Sequence, residues 1–208
     1  MQALVNGISG IIPGGISVMD FAIISKTDQI TAQKILNELV ENDIGRKDRD
    51  VFNFSDGDRL KTAIHALQKG ASIDEVAEKI SWRDFEGLVA EILEKDDFAT
   101  MRNFMLKKPR MEIDVVGIKR GIALLIDCKH WKRTSTSALQ TVVNKQIERT
   151  KHYVASTEGA MAIPVIVTLY QDKVDFINKV PIIPIFQFTS FVEEFYGNVE
   201  NMETIEKD

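Results

Sequence analysis

One cysteine, Cys128, stands in a chain of 208 residues. A disulfide framework within the chain is excluded, and a lone thiol suits a reducing compartment. Histidine is nearly as scarce. His65, His130 and His152 are scattered, and with one cysteine they do not make up a structural zinc set. Long apolar runs are missing too: stretches such as Ala162–Leu169 stay under ten residues, whereas a membrane-spanning helix needs about 20. The N-terminal MQALVNGISGIIPGG is apolar, but it lacks a basic lead and is broken by glycine and proline. It does not read as a signal peptide. The expectation from these absences is a cytoplasmic protein without a membrane partner. Internal repeats and low-complexity tracts are absent as well.

What is present is ordinary globular material. The hydrophobic set is 44% and charged residues are 27%, which excludes a disordered chain. The length allows one or two domains and a core that needs no covalent staple. The net charge of −5 argues weakly against a nucleic-acid partner, but its distribution argues the other way. Between Arg102 and Lys151 lie twelve basic and four acidic residues, a local excess of eight that leaves −13 on the rest of the chain. A basic field on an acidic body can meet phosphate, and the total hides it.

The pattern divides the chain. Residues 1–70 read as helix, helix, short strand and helix. Val18–Ile24 is one apolar helix. Thr27-Asp28 opens the next, with Ile30, Ile35, Leu36 and Leu39 at helical spacing; Val51–Phe54 is a strand, and Arg59–Lys69 follows as a helix. Small helical modules with a trailing β element have the layout of a winged helix, which would set Gln33 and Lys34 against a groove. A packing module has the same pattern. Residues 71–81 hold a connecting helix, capped by Ser72 with Glu75 at the capping-box position. From Trp82 to 198 the order is helix, three strands, helix, two strands, helix. This α/β pattern gives a mixed sheet flanked by helices. The second of the two later strands, Ile182–Phe188, contains Pro184 and reads as an edge. Residues 199–208 read as a polar, frayed tail.

The chemistry gathers where the strands end. Asp127 and Lys129 are two apart in a strand and share a face, while Ile126 and Cys128 point the other way. Asp127 closes the apolar run Ile122–Ile126, and a charge there is costly unless paired or bound to a metal. A two-residue loop at Arg120-Gly121 pairs Lys119 with Ile122. Counting back sets Asp114 opposite Asp127, with Cβ atoms about 5 Å apart. Two carboxylates that close repel unless a cation lies between them, and hard oxygen donors suit Mg²⁺ or Mn²⁺. Upstream, Glu86 sits on the shoulder of a helix whose stripe is Phe85, Leu88, Val89, Ile92 and Leu93. Singly, each residue has a bland reading: Asp114 a turn cap, Asp127 and Lys129 a surface ion pair, Glu86 a solvated helix residue. Together they point to one site.

The set Glu86, Asp114 and Asp127-Cys128-Lys129 resembles the PD-(D/E)xK, or restriction-endonuclease-like, nuclease superfamily. Within it, Trp82–Glu86, Ile113-Asp114 and Asp127–Lys129 are most similar to the Mrr-like branch and to archaeal Holliday-junction resolvases. The resemblance covers roughly residues 82–188, and Ile113 departs from the proline of the name-giving motif. It implies a restriction-endonuclease-like mixed sheet, preceded here by the small winged-helix-like domain, and a metal-dependent DNA endonuclease. Asp114, Asp127 and the backbone carbonyl of Cys128 would hold Mg²⁺ or Mn²⁺. Lys129 would act on the attacking water and the phosphate, with Glu86 in support. Lys107, Lys108, Arg110, Lys119, Arg120, Lys132, Arg133 and Gln146 are the candidate DNA contacts, and a homodimer is the family expectation. A junction-resolving repair nuclease, or a non-catalytic DNA-binding protein on the same scaffold, has the same outline.

Overall fold

Two units make up the chain, Met1–Asp84 and Phe85–Asp208. The computed structural model describes residues 1–55, 57–129, 135–169 and 175–207. In the first unit short polar side chains start the helices. The Ser17 hydroxyl accepts from the Asp20 N–H at 3.1 Å and the Asp28 carboxylate from Thr31 N–H at 2.9 Å, each satisfying a donor that the first helical turn leaves open. They open α2 (Val18–Ser25) and α3 (Gln29–Glu41), preceded by α1 (Gln2–Gly7). Further on come α4 (Asp58–Gln68) and α5 (Ile73–Ala77). The helices close over Val5, Ile8, Phe21, Leu36, Leu39 and Phe52, all fully buried.

The strands of this unit exceed the single one that the sequence pattern shows. β1 (Gly14–Ser17), β2 (Arg46–Asp48) and β3 (Val51–Phe54) form an antiparallel sheet in the order β1-β3-β2. β1 begins with two glycines and β2 is fully charged, so neither shows the apolar alternation of a strand. The β2–β3 turn places Arg49 at φ 54°.

One ion-pair group ties α3 to α4. Glu38 Oε1 meets His65 Nε2 and Lys69 Nζ, both at 2.6 Å. The Lys69 hydrogen bond, with help from His65, holds the Glu38 carboxyl below the ordinary glutamate range. A depressed carboxyl stabilises the fold above its unfolded pKa, and that contribution is lost as pH falls through the folded value. Glu38→Gln should therefore lower the melting temperature modestly at neutral pH, by well under about 1 kcal/mol of stability for so exposed a group. The gap from wild type should close below about pH 4. A gap of constant size across a pH series of melts would remove the ion pair from the account.

The second unit is built on a seven-stranded sheet. α6 (Trp82–Lys95) leads into it. Then come β4 (Ala99–Lys107), β5 (Arg110–Lys119) and β6 (Ile122–Lys129), all antiparallel neighbours. α7 (Thr136–Ser156) crosses to β7 (Met161–Thr168), which lies parallel to β6. β8 (Asp175–Ile177), β9 (Val180–Pro184) and α8 (Ile185–Asn198) follow. The sheet order is β4-β5-β6-β7-β9-β8. Ala123 and Leu125 pack with Tyr153 and Val154, and Ile166 with Val142 and Val143, so α7 covers the face that carries these odd β6 and even β7 positions. α6 covers the other. There a Cβ on Gly117 would stand 2.8 Å from a Leu93 methyl, so only glycine lets the helix approach this closely.

Two expectations are corrected here. β9 is not an edge: β8 pairs with it on the outside, Asp175↔Ile182 through Ile177↔Val180. It stops at Pro184, whose fixed φ of −66° makes it the N-cap of α8, so Ile185–Phe188 is helix rather than strand. The C-terminal stretch is not frayed through its length. Met202 is buried, and β10 (Ile205–Glu206) pairs with Met161 and Ala162 of β7. Pro164 falls between these partners and the β7–β9 ladder, which begins at Ile166, so its missing N–H breaks no pairing on that side.

Candidate active site

The β5–β6 turn fixes the site's register. Arg120 and Gly121 both have positive φ, 50° and 81°, as a tight two-residue hairpin loop requires. Lys119 pairs with Ile122, and the ladder runs back to Val115↔Ile126. The next position would join Asp114 to Asp127. The strands part there, and the β4–β5 ladder also passes over Asp114, with its neighbour Asn103 at φ 52°. The register is as the sequence implies, but the Asp114 carboxylate replaces the backbone pairing: its Oδ2 accepts from the Cys128 N–H at 2.7 Å.

Asp127 is the centre of the site. It is only 2% exposed. Arg149 Nη1, from α7, donates to Asp127 Oδ1 at 2.7 Å. Lys129 Nζ lies 2.6 Å from Oδ2. That ammonium is close enough for an ion pair but off the line of a hydrogen bond, so Oδ2 is a buried oxygen without a hydrogen-bond partner. Burial first, and the Asp127 charge second, push the Asp114 carboxyl above its ordinary range against the Cys128 N–H, Lys129 and Arg149. The half-buried Cys128 thiol is held well above the ordinary thiol range by desolvation, then by the charges of Asp114, Glu86 and Asp127. It is therefore no nucleophile at neutral pH. All three carboxylates thus act on one spot. Glu86 is 5% exposed on α6, not the solvated helix residue of the bland reading.

Among the described residues no three His, Cys, Asp or Glu side chains cluster closely enough to hold a metal ion.

Arg149 is the residue that sequence reasoning missed at this site. A buried Asp127 needs a counter-charge, and the sequence reading looked only at Lys129. Arg149 lies three residues beyond Gln146, one turn along α7, which is the signal that was there. Gln146 itself is corrected. It is fully buried, its Nε2 donating to the Leu125 carbonyl at 2.7 Å and its Oε1 accepting from Arg149 Nη1 at 3.1 Å. With both ends of the amide used inside the protein, it positions Arg149 rather than touching DNA.

The remaining candidates separate by position. Lys107, Lys108 and Arg110 are exposed at the β4–β5 turn, with Arg110 four residues from Asp114 along β5. A groove of about 520 Å³ runs between Arg110–Glu112 and the α7 residues Asn144, Lys145, Glu148 and Arg149. Lys119 and Arg120 sit at the opposite end of the hairpin, five residues or about 17 Å from Asp114 along an extended strand. Lys119 Nζ is bound by the Asp96 carbonyl and carboxylate at 2.6 and 2.8 Å, and Arg120 lies over the Tyr196 ring at 5.2 Å. The structure does not bring these two to the site. Lys132 and Arg133, with His130 and Trp131, lie outside the described residues.

A helix carrying Glu86, three antiparallel strands, a crossing helix and a parallel strand, with Asp114, Asp127 and Lys129 at one end, define a restriction-endonuclease-like domain. Residues 77–170 match the Mrr_cat family, described as Restriction endonuclease, and the chain belongs to it. A protein of Archaeoglobus fulgidus, described as uncharacterized, is 35% identical over 119 residues, which is 55% of this chain and 92% of that one. Two solved structures are similar at 12% identity. They are protein VC1899 from Vibrio cholerae, with a TM-score of 0.44 over 96% of this chain, and Can2 from Sulfobacillus thermosulfidooxidans in complex with cyclic tetra-adenylate, with 0.40 over 94%. The chain spans about half the length of each, 52% and 50%.

Proposed function

We propose that this chain is a divalent-metal-dependent DNA endonuclease of the Mrr type. The observation that carries the reading is Asp127, a buried carboxylate with one oxygen bound by Arg149 and the other left without a hydrogen bond, facing Asp114. Its donors are hard oxygens, which fit Mg²⁺ or Mn²⁺ better than softer ions. Asp114, Asp127 and the carbonyl of Cys128 would hold the ion, and Glu86 would supply negative field from behind. Two carboxylates and a main-chain carbonyl make a set that needs no third acidic side chain. The ion, when bound, would acidify a water and polarise the phosphate.

The chain's own residues would do the rest. Lys129, with a fifth of its side chain exposed, would neutralise charge growing on the reacting phosphate. Arg149 would hold the Asp127 carboxylate in one orientation. Lys107, Lys108 and Arg110 would lie along the duplex backbone, contacts that position DNA without reading sequence. The first unit, with three main helices and a β1-β3-β2 sheet, would act as a winged helix that holds DNA through the face bearing Gln33 and Lys34. Cleavage of both strands calls for two sites, hence a homodimer, and a free thiol fits the cytoplasm.

The test is a panel of supercoiled plasmid, linear duplex, four-way junction and single-stranded DNA with Mg²⁺, with Mn²⁺ and with chelator. Metal-dependent cleavage of plasmid or duplex supports the reading. Cleavage confined to the junction would replace it with a junction-resolving enzyme. Binding without cleavage under every metal would leave a DNA-binding scaffold.

A further inference from the structure

Arg149 holds Asp127 with only part of its guanidinium. Nη1 donates to Asp127 Oδ1 at 2.7 Å and to Gln146 Oε1 at 3.1 Å. A guanidinium carries five N–H donors in a planar fork, and Nη1 supplies two of them. The three on Nε and Nη2 have no hydrogen-bond partner among the described residues. Neither nitrogen is a buried atom lacking a partner, so both open to solvent. A quarter of the side chain is exposed, and it lines the groove of about 520 Å³ between Arg110–Glu112 and α7. The inner edge of the fork thus meets the carboxylate, and the outer edge meets the groove.

Charge alone does not call for arginine here. Asp127 already has the Lys129 ammonium at 2.6 Å, and a lysine on α7 would add a second positive charge. Arginine differs in having donors left over, in a planar pair that fits two oxygens of a phosphate. The groove is furnished for such a ligand. Lys145 stands four residues before Arg149 on α7, hence on the same helical face, and Arg110 lies on the β5 side. Both are exposed, and neither has an ion pair among the described residues. Of the two acids in the groove, Glu148 is taken by Lys151 at 2.9 Å. That leaves Glu112 against Arg110, Lys145 and the outer edge of Arg149. Met111 and the stems of the long side chains add apolar wall on which a sugar can lie.

We infer that Arg149 contacts DNA as well as Asp127: the outer edge of its guanidinium grips a backbone phosphate of the strand lying in the groove, beside the phosphate that reacts, with Lys145 and Arg110 along the same track. This rests on the nuclease reading given above and goes beyond it by assigning a path to one strand. The placing of that strand and the orientation of Asp127 are then set by one side chain. No covalent step is involved.

The test is the Kd for a labelled duplex, read by anisotropy on the full chain with chelator present, over a salt series from about 50 to 200 mM. Arg149→Lys keeps a cation for Asp127 but gives up the outer donors. Its Kd should rise about tenfold, the worth of a hydrogen bond to a charged group, and the slope of log affinity against log salt should become shallower by about one, as for one lost phosphate contact. Its Mn²⁺ affinity by calorimetry should stay at the wild-type value. Lys145→Ala, which does not touch Asp127, should also flatten the slope by about one. Lys95→Ala, an exposed cation at the end of α6, should leave it unchanged. A wild-type slope in Arg149→Lys overturns the inference and leaves the nuclease reading intact, whatever its Mn²⁺ affinity, since Arg149 would then only position Asp127. An equal flattening in Lys95→Ala also overturns it, by making the effect one of total charge. Should Arg149→Lys fail to fold, Lys145→Ala carries the test, and a wild-type slope there overturns the inference. A wild type that neither binds duplex nor cleaves DNA overturns both readings.

Discussion

Asp127→Ala should abolish Mn²⁺ binding and lower metal-dependent cleavage by about 10³-fold or more, the scale of several kcal/mol of lost charge stabilisation. The carboxylate is 2% exposed and opposite Asp114, so no other acid can swing into its place. The variant also strips Arg149 and Lys129 of their shared partner. Removing one member of a buried pair is destabilising by roughly 3–5 kcal/mol when the other stays buried. Here the two cations keep 25% and 20% of their side chains exposed, so water can take over and the loss should fall below that range. Asp127→Asn keeps an acceptor for Arg149 while removing the charge, and should fold more securely yet bind no Mn²⁺. Calorimetry showing wild-type Mn²⁺ heats in either folded variant would sink the assignment.

Lys129→Ala is expected to separate chemistry from folding. Arg149 remains on Asp127 Oδ1 at 2.7 Å, so the buried carboxylate keeps a counter-charge and the fold survives. Both metal carboxylates stay, and Mn²⁺ binding should persist. Duplex affinity should weaken only slightly, since Lys129 is one cation beside Lys107, Lys108 and Arg110. Cleavage should drop by about 10²-fold or more, as when one preorganised charge-stabilising group is lost. A plain surface ion pair predicts a stability change under about 1 kcal/mol and unchanged turnover. Melting, DNA binding and cleavage on one variant tell the two apart, and wild-type turnover in Lys129→Ala would falsify the catalytic role.

The hairpin was legible because a local rule governs it. Arg120-Gly121 permits a tight turn, the turn sets the register, and the register sets Asp114 against Asp127. Glu86 was legible from its place beside an apolar helical stripe. Arg149 was not. Its contact with Asp127 spans 22 positions and depends on how α7 lies on the sheet, which no local pattern encodes. Gln146 was misread for the same reason: an amide near a site looks like a ligand contact until packing shows both its ends occupied. β1 and β2 escaped notice because glycine pairs and charged triplets carry no period-two signal. Pro184 suggested an edge, and β8, three residues long, left too little trace in the sequence to contradict it.

The clasp at the far end of the β5–β6 hairpin has a practical consequence. Lys119 is gripped by Asp96 and flanked by Phe98 and Tyr196, and the Tyr196 hydroxyl donates to the Lys119 carbonyl at 2.9 Å. Asp114 lies five residues back along the same strand, near its middle. Substitutions at Lys119 should therefore lower the yield of folded protein while sparing turnover per folded molecule. At Asp114 the amide Asp114→Asn should leave yield largely intact and silence the molecule. Between them Val115 and Val116 are buried, so changes there should cost yield. The strand would thus carry two kinds of failure, sorted by which face and which position a substitution strikes.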